Sequence, residues 1–106
     1  MARKPALDRE LAASFVGKHL LIGLTVYSHD DVLLGQQQLH GDILRINLEE
    51  GVVVRLAGSG EEYRQPPDLR SFKVAPPGTY RLHSTGELVV DPDLISSWIL
   101  HKPPLH

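Results

Sequence analysis

The six histidines are the side chains of this sequence best suited to hold a metal or to move a proton near neutral pH. They are spread along the chain, at His19, His29, His40, His83, His101 and His106. Familiar metal sites place two ligands close together, for example four residues apart on a helix. The sequence shows no such spacing, so surface imidazoles are the first expectation, and no cofactor or metal site is predicted unless the fold brings distant histidines together.

The other reactive residue types occur without the surroundings that catalysis requires. Serine, histidine and aspartate are all present, but no strained nucleophile turn places a serine for attack. The segment 58–60 (Gly-Ser-Gly) lacks the lysine and the following helix of a phosphate cradle. Cysteine is absent, which excludes disulfides and thiolate chemistry. The sequence therefore predicts no catalytic residue, and an enzyme is the third of three functional classes considered.

Arginine and aromatic residues alternate in a way that offers a second class of function, binding of single-stranded RNA or DNA. Stacking aromatic side chains beside cations are typical of such proteins. The overall charge argues against this class, since 11 Lys and Arg stand against 13 Asp and Glu. The stripe that would bind consists of Arg45, Arg55, Arg64, Arg70, Lys73 and Arg81, with Tyr63 and Phe72 between them.

The favoured class is a non-catalytic module that binds a protein or a peptide, or a second copy of itself, through an exposed strand edge. The segment 35–41 carries three consecutive glutamines between two glycines. Either Gln37 points inward and needs hydrogen-bond partners, or Gln36, Gln38 and His40 do. The favoured interpretation is a solvated strand beside a glycine bend, because flanking glycines often mark bulges. The residues proposed for the interaction surface are Gln36, Gln38, His40, Arg45, Arg55, Tyr63, Arg64 and Arg81.

The central part of the chain, which must position these residues, alternates between apolar and polar side chains. This period of two predicts strands over 18–28, 32–40, 43–48 and 52–56. The turn at 29–31 is rich in aspartate, which tolerates a left-handed backbone. Gly51 supplies the positive φ of a tight hairpin.

The two ends of the chain are predicted by turn and capping residues. A short amphipathic helix is expected over 5–16, with Pro5 in its first turn and Gly17 after its end. A tight helical turn is expected at 66–69, and strands at 61–65, 70–75, 79–83 and 88–90. The segment 91–94 is ambiguous between a turn and a helix start; one helical turn is predicted there, followed by a strand through 97–100.

Length and composition predict one soluble domain, residues 1–106. Hydrophobic residues make up 42% and charged residues 23% of the chain, as in ordinary globular proteins. The longest apolar runs are too short to span a bilayer, and the N-terminus has no signal-peptide core. The expected location is the cytoplasm, without membrane contact.

The order of these elements resembles that of small Sm-like and SH3-like barrels over about the first 60 residues. The resemblance rests on the helix followed by Gly17-Lys18, on His40-Gly41-Asp42-Ile43-Leu44, and on the hairpin into 52–56. Asn47 precedes the turn, whereas the Sm family has its RNA-binding Asn after it, and the late Arg-Gly signature of that family is missing. No RNA contact is therefore assigned to a position here. The segments 66–69 and 84–87 resemble an uncharacterised family of bacterial barrels.

Together, these patterns predict a mainly β fold: a small antiparallel β-barrel of the SH3-like or Sm-like type. Its barrel strands would lie within 18–75. The strands within 79–101 would form a C-terminal β-hairpin extension.

Overall fold

The computed structural model describes residues 7–83 and 85–104, which form mainly β-strands with one short α-helix. The helix is α1 (Arg9–Phe15), and a 3₁₀ turn spans Leu69–Ser71. The strands are β1 (His19–Tyr27), β2 (Leu33–Asn47), β3 (Gly51–Leu56), β4 (Glu62–Gln65), β5 (Phe72–Val74), β6 (Thr79–Arg81), β7 (Leu88–Val90) and β8 (Leu94–His101). The prediction of a mainly β chain with a short N-terminal helix is confirmed.

Six strands form one sheet in the order β4-β3-β2-β1-β8-β5, and β6 pairs with β7 in a separate hairpin. β1 and β8 run parallel, while the other neighbours in the sheet run antiparallel. The prediction of a small antiparallel barrel is therefore wrong: the sheet is mixed and is not closed into a barrel. β8 occupies the side of β1 that is turned away from β2, so β4 and β5 remain as the two edges of an open, mixed sheet. The predicted C-terminal hairpin exists as β6 and β7, but the last strand lies inside the main sheet.

Each face of the sheet buries its own apolar cluster. The face covered by α1, here called the inner face, is lined at β1 by alternate side chains, Leu20, Ile22 and Leu24. On the opposite, outer face, Leu21 packs against the β6–β7 hairpin through Leu82 and Val89. Because β1 is covered on both sides, it is buried more completely than a period of two alone would require.

α1 is defined by its capping residues. The side chain of Asp8 accepts a hydrogen bond from the Leu11 amide at 3.0 Å, and Gly17 follows the helix with a φ of 87°. The helix was predicted over 5–16; residues 5 and 6 lie outside the described residues, and the observed helix begins at Arg9. Phe15 stacks on Phe72 of β5 with ring centroids 5.3 Å apart, which fixes the helix on the inner face. No helix in the described part of the chain is long and apolar enough to cross a membrane.

β2 is a single strand of 15 residues where the alternation predicted two strands, 32–40 and 43–48. Its first part pairs with β1, and its last part pairs with β3, so Gly41 lies where the three strands meet. Gly41 is buried, and a Cβ atom there would overlap the backbone of Arg55. The glycine therefore allows β2 to continue past the end of β3 instead of ending in a turn.

The segment 91–94 contains no helical turn, so that prediction is wrong. Asp91 has a φ of 48°, and its Oδ1 accepts a hydrogen bond from the Gly78 amide at 2.8 Å. The Asp91 amide donates in return to the carbonyl of Gly78 at 2.8 Å. This reciprocal pair ties the base of the β6–β7 hairpin together and directs the chain into β8, which already begins at Leu94. In contrast, the positive φ predicted for Gly51 is confirmed at 84°.

Candidate interaction surfaces on the sheet

The eight residues proposed for an interaction surface do not form one surface. Gln36, Gln38 and His40 follow one another along the outer face of β2, next to β1. Arg45 and Arg64 lie farther along the same face, on either side of β3. Arg55 is exposed on the same face, where its cross-strand neighbours are Asp42 and Glu62. The remaining two are separated from these groups: Arg81 is exposed on β6, and Tyr63 packs against the inner core.

Arg45 and Arg64 belong to a compact ion-pair network with Glu50 and Glu62. Arg45 donates to both carboxylate oxygens of Glu50, at 3.0 and 2.6 Å, and to Glu62 at 3.0 Å. Arg64 lies 3.2 Å from Glu50. Beneath these groups Val53, whose cross-strand neighbours are Arg45 and Arg64, is 0% exposed. The two arginines thus cover an apolar side chain with their stems and are neutralised by acids, as amphipathic side chains commonly are on a sheet surface.

We expect the carboxyl group of Glu50 to titrate far below the usual range. Hydrogen bonds from Arg45 and then from Asn47 lower its pKa from 4.5 to about 2. The network therefore stabilises the fold above the pKa of an unfolded glutamate, about 4.3, and this contribution is lost as the pH falls through about 2. An NMR titration of the side-chain carboxyl carbon measures the shift.

The variant Arg45→Gln is expected to return the pKa of Glu50 toward its ordinary value, because the largest cause of the shift is removed. Arg81→Gln, on β6, is the matched control and should leave the Glu50 titration unchanged. If Glu50 titrates normally in the unmodified protein, the network does not exist in solution.

The aromatic residues proposed to stack on bases lie in the core. Phe72 is buried against Phe15, and Tyr63 packs against the inner cluster, where burial raises the pKa of its hydroxyl. Arg70, another member of the proposed stripe, is paired with Asp68 at 3.0 Å. The structure thus does not assemble the alternation of free cations and exposed rings that single-stranded nucleic acid requires.

Two histidines that are 21 residues apart in sequence meet on the outer face. Nε2 of His19 lies 2.8 Å from Nδ1 of His40, within hydrogen-bond distance, and Nδ1 of His19 lies 2.8 Å from Asp42 Oδ1. On the other side, Nε2 of His40 lies 2.9 Å from Glu87 Oε1, but the contact is too far out of line to count as a hydrogen bond. The four side chains form a linear chain that no spacing in the sequence had indicated.

This chain of side chains does not converge on a common point. Both ring nitrogens of His19 and Nδ1 of His40 are directed at a neighbour in the chain, whereas Nε2 of His40 lies beside Glu87 without a hydrogen bond. His29 and His101 lie elsewhere, each within 3.0 Å of a single aspartate; His106 lies outside the described residues. Among residues 7–83 and 85–104 no three His, Cys, Asp or Glu side chains are grouped to hold a metal.

A polar cleft of about 230 Å³ lies beside the hairpin on the outer face. The hairpin borders it through His83, whose amide donates to the side-chain oxygen of Gln38. Its floor and walls are made of small and uncharged polar residues of the three central strands: Gly23, Thr25, Gln36, Gln38 and Ser97. Gln36 and Gln38 thus lie on the outer face, while Gln37 has its side chain exposed at the opposite face.

Beyond the cleft, the sheet narrows to a three-stranded arm. β5 pairs with β8 only over Leu94–Ser96, and β3 pairs with β2 only from Gly41 onward. The last residues of β8, 97–101, and the first residues of β2, 33–39, therefore each have β1 on one side and no strand of the described chain on the other. The arm thus has two open edges.

The backbone groups of alternate β8 residues point to its open side. The amide of Lys102 donates to the carbonyl of Tyr27 in β1, so its backbone groups point away from the open side. Successive residues of a strand direct their backbone groups to opposite sides. By this alternation the residues that offer N–H and C=O groups at the open edge are Ser97, Ile99 and His101.

Large apolar side chains are exposed along the same arm. On β8, Ile99 is 67% and Leu100 is 51% exposed. At the opposite edge Val32, Leu33 and Leu34 are exposed as well. Open backbone groups beside exposed aliphatic side chains form a surface to which another strand can add.

Comparison of the chain with models of protein families, with curated proteins and with solved structures gave no significant match.

Proposed function

We propose that the protein is a non-catalytic interaction module that pairs with a second copy of itself along the open edge of β8. The observation that carries the proposal is the coincidence, over Ser97–His101, of unpaired backbone groups with the exposed side chains of Ile99 and Leu100. Main-chain pairing at this edge would satisfy the backbone groups and bury the aliphatic side chains together.

The open edge of β8 lacks the features with which proteins usually protect an edge strand. Such edges carry lysine, proline or a bulge. Residues 97–101 include neither lysine nor proline. They also contain no bulge, because the pairing of β8 with β1 continues without a shift in register to His101. Lys102 and Pro103 come only after the strand has ended. The edge is therefore regular and unprotected over these five residues.

A second copy fits this edge because an antiparallel pair of identical strands is self-complementary. A two-fold axis at Ile99 would place Ile99 opposite Ile99 of the second copy and Ser97 opposite His101 of the second copy. The residues that face the open edge would then all lie in hydrogen-bonded pairs. The two sheets would join into one, with the β5 strands at the two ends of the new contact.

The other two classes of function have less support. For nucleic acid, Phe72 is packed in the core, Tyr63 is half-buried against it, and Arg45, Arg64 and Arg70 are paired with acids. For catalysis, the ring nitrogens of His19 and His40 are turned toward each other and toward carboxylates, not toward a cleft that could hold a substrate.

The test is a pair of proline substitutions at neighbouring positions of β8. Ile99→Pro removes an amide that points to the open edge, and an edge strand is the part of a sheet that tolerates proline. We expect this variant to keep its fold but to sediment as a monomer, while the unmodified protein forms a dimer at roughly 100 µM. Sedimentation velocity over a series of concentrations measures both.

Leu100→Pro is the matched control, because its amide points to β1 and contributes to the central ladder of the sheet. This variant is expected to lose stability by about 3 kcal/mol, which thermal unfolding followed by circular dichroism would show. An unmodified protein that stays monomeric, or an Ile99→Pro variant that still dimerises, would rule out pairing along β8.

A further inference from the structure

Gly23 lies in the middle of the central strand β1, where the fold of a single chain does not require a glycine. Its φ lies outside the left-handed region, and the atom nearest to a Cβ built there is Oγ of Ser97, at an ordinary contact distance of 3.8 Å. Glycine inside a strand weakens it and often marks a place where another group approaches closely. The space at Gly23 is therefore available to a group from outside the chain.

Gly23 and Ser97 are cross-strand neighbours, so two small residues lie side by side on the outer face. Both line the polar cleft of about 230 Å³. The β6–β7 hairpin borders this cleft at Gln38, which accepts a hydrogen bond from the amide of His83. Ser97 lies on the other side, at the open edge of β8, where no strand of the described chain continues the sheet.

Four residues farther along the same two strands, large rings take the place of the small residues. Tyr27 and His101 are neighbours in β1 and β8, and their rings stack with centroids 5.4 Å apart. Nε2 of His101 lies 3.0 Å from Asp31, which helps to hold the ring in this position. The side chain of His101 is 51% exposed at the open edge. The outer face of the arm thus has a pair of small residues and a pair of rings.

The register that forms the most backbone hydrogen bonds between two copies brings these two pairs together. A two-fold axis at Ile99 gives three hydrogen-bonded pairs: 97 with 101, 99 with 99, and 101 with 97. An axis one residue earlier would place residue 101 opposite Ile95, which already pairs with β5. An axis one residue later would place residue 97 opposite Pro103, which has no amide to donate.

In this register each row across the joined sheets combines small residues of one copy with rings of the other. Gly23 and Ser97 of one copy continue into His101 and Tyr27 of the second copy. Directly opposed side chains have their Cβ atoms about 5 Å apart, so the imidazole ring would contact Ser97 and reach toward Gly23. The two-fold axis repeats the same contact on its other side.

We propose that the Tyr27–His101 ring pair of one copy closes the cleft over Gly23 and Ser97 of the other, so that Gly23 determines which strand β8 accepts. The proposal rests on the pairing through β8 proposed above and names a second copy of this chain as the occupant of the cleft. A strand with a small side chain in place of His101 would leave the cleft open. A bulky side chain at Gly23 would keep the ring out.

Gly23→Val tests the proposal. Valine is favoured in strands, and a Cβ atom at this position meets no backbone atom closer than 3.9 Å, so the variant should melt no lower than the unmodified protein. Its dissociation constant in sedimentation velocity should rise about tenfold or more, because the new side chain occupies the space of the ring. If the variant melts lower, Gly23→Ala gives the same comparison with an expected rise of about threefold.

Gly35→Val is the matched control. Gly35 pairs with Val26 and lies on the inner face of the same arm, where a Cβ atom would meet nothing within 4 Å. The substitution adds the same side chain outside the row that joins the two copies. Its dissociation constant should equal that of the unmodified protein.

The variant His101→Ala separates a direct contact from a general weakening of the dimer. Within one chain, His101 lies four residues beyond Ser97, the neighbour of Gly23, which is about 13 Å along the strand. Substitutions this far apart are expected to act independently unless the two residues meet across the dimer. With alanine at position 101, Gly23→Val should therefore raise the dissociation constant by less than about threefold.

The outcomes distinguish this proposal from the pairing on which it rests. A dimer whose dissociation constant is unchanged by Gly23→Val would overturn the closure of the cleft and leave the pairing intact. The same holds if Gly23→Val has its full effect in the His101→Ala background. An unmodified protein that stays monomeric would overturn both proposals.

Discussion

Replacement of Gly41 by alanine is expected to lower the free energy of unfolding by about 3 kcal/mol or more. Gly41 is buried where β2 passes from its pairing with β1 to its pairing with β3. A Cβ atom would overlap the carbonyl group of Arg55 and would lie 3.0 Å from the Cα of Leu56. The obstacle is backbone, so relief requires β3 to move away from β2, which disrupts hydrogen bonds and core packing together.

Gly35 provides the matched control, since it lies on the same strand and a Cβ atom there would meet nothing within 4 Å. Gly35→Ala is expected to be neutral or to stabilise by up to about 1 kcal/mol, because alanine has fewer unfolded conformations to lose. Chemical denaturation of both variants measures the difference. Equal stabilities would show that the backbone of β3 does not lie as close to Gly41 of β2 as described.

Replacement of Ile22 by alanine is expected to cost about 2–5 kcal/mol. Ile22 is 0% exposed and lies in the middle of β1, between Leu39 of β2 and Ser96 of β8. Strands flank it on both sides and α1 covers the inner face, so the structure has little freedom to collapse around the cavity. A domain of this size is commonly stable by only 5–15 kcal/mol, so the variant would lose a large part of its stability.

Leu88→Ala, at an exposed position on β7, is the control for the loss of Ile22 and should change the stability by less than about 0.5 kcal/mol. Thermal and chemical unfolding of the two variants under the same conditions give the comparison. A small effect at Ile22 would mean that the inner face of β1 is not the centre of the core.

The parts of the fold that could be predicted from the sequence are those determined by neighbouring residues. Alternation of side chains marked β1 and β3, Gly51 marked the hairpin between β2 and β3, and Gly17 marked the end of α1. Each of these depends on residues within one strand or one turn. The prediction of the local elements was therefore largely correct, even where a strand proved longer than expected.

The open sheet could not be predicted because it depends on the pairing of distant strands. β8 lies parallel to β1, although more than 70 residues separate Leu20 from Leu94 in sequence. The alternation of residues 94–101 is compatible with either direction and with either neighbour. Only the competition between possible partners decides that β8 joins β1 and that β4 and β5 remain edges.

The contact between His19 and His40 could not be predicted because it depends on one extra residue in β2. Leu34 is an extra residue in the pairing of β1 with β2, between the pairs Tyr27 with Leu33 and Val26 with Gly35. Without this bulge the register would shift by one residue, and His40 would face the inner side of the sheet. The contact between the two histidines thus depends on a bulge next to Gly35, whose effect on the register the alternation of side chains does not reveal.

The surroundings of the residues proposed for the interaction surface also depend on contacts between different strands. Arg45 and Arg64 lie on the outer face, but side-chain alternation could not reveal that Glu50 and Glu62 would reach them from a turn and from the neighbouring strand. The position of Tyr63 in the inner cluster follows from the register of β4 on β3, which short edge strands specify weakly in sequence.

The most direct test of pairing through β8 is amide hydrogen exchange of this strand in the unmodified protein at increasing concentration. The amide of Leu100 points to β1 and should be protected at every concentration. The amides of Ile99 and His101 point to the open edge, and they should exchange rapidly in dilute solution and become protected as the protein is concentrated. If Ile99 and His101 exchange at the same rapid rate throughout, the edge stays open and the protein does not pair with itself there.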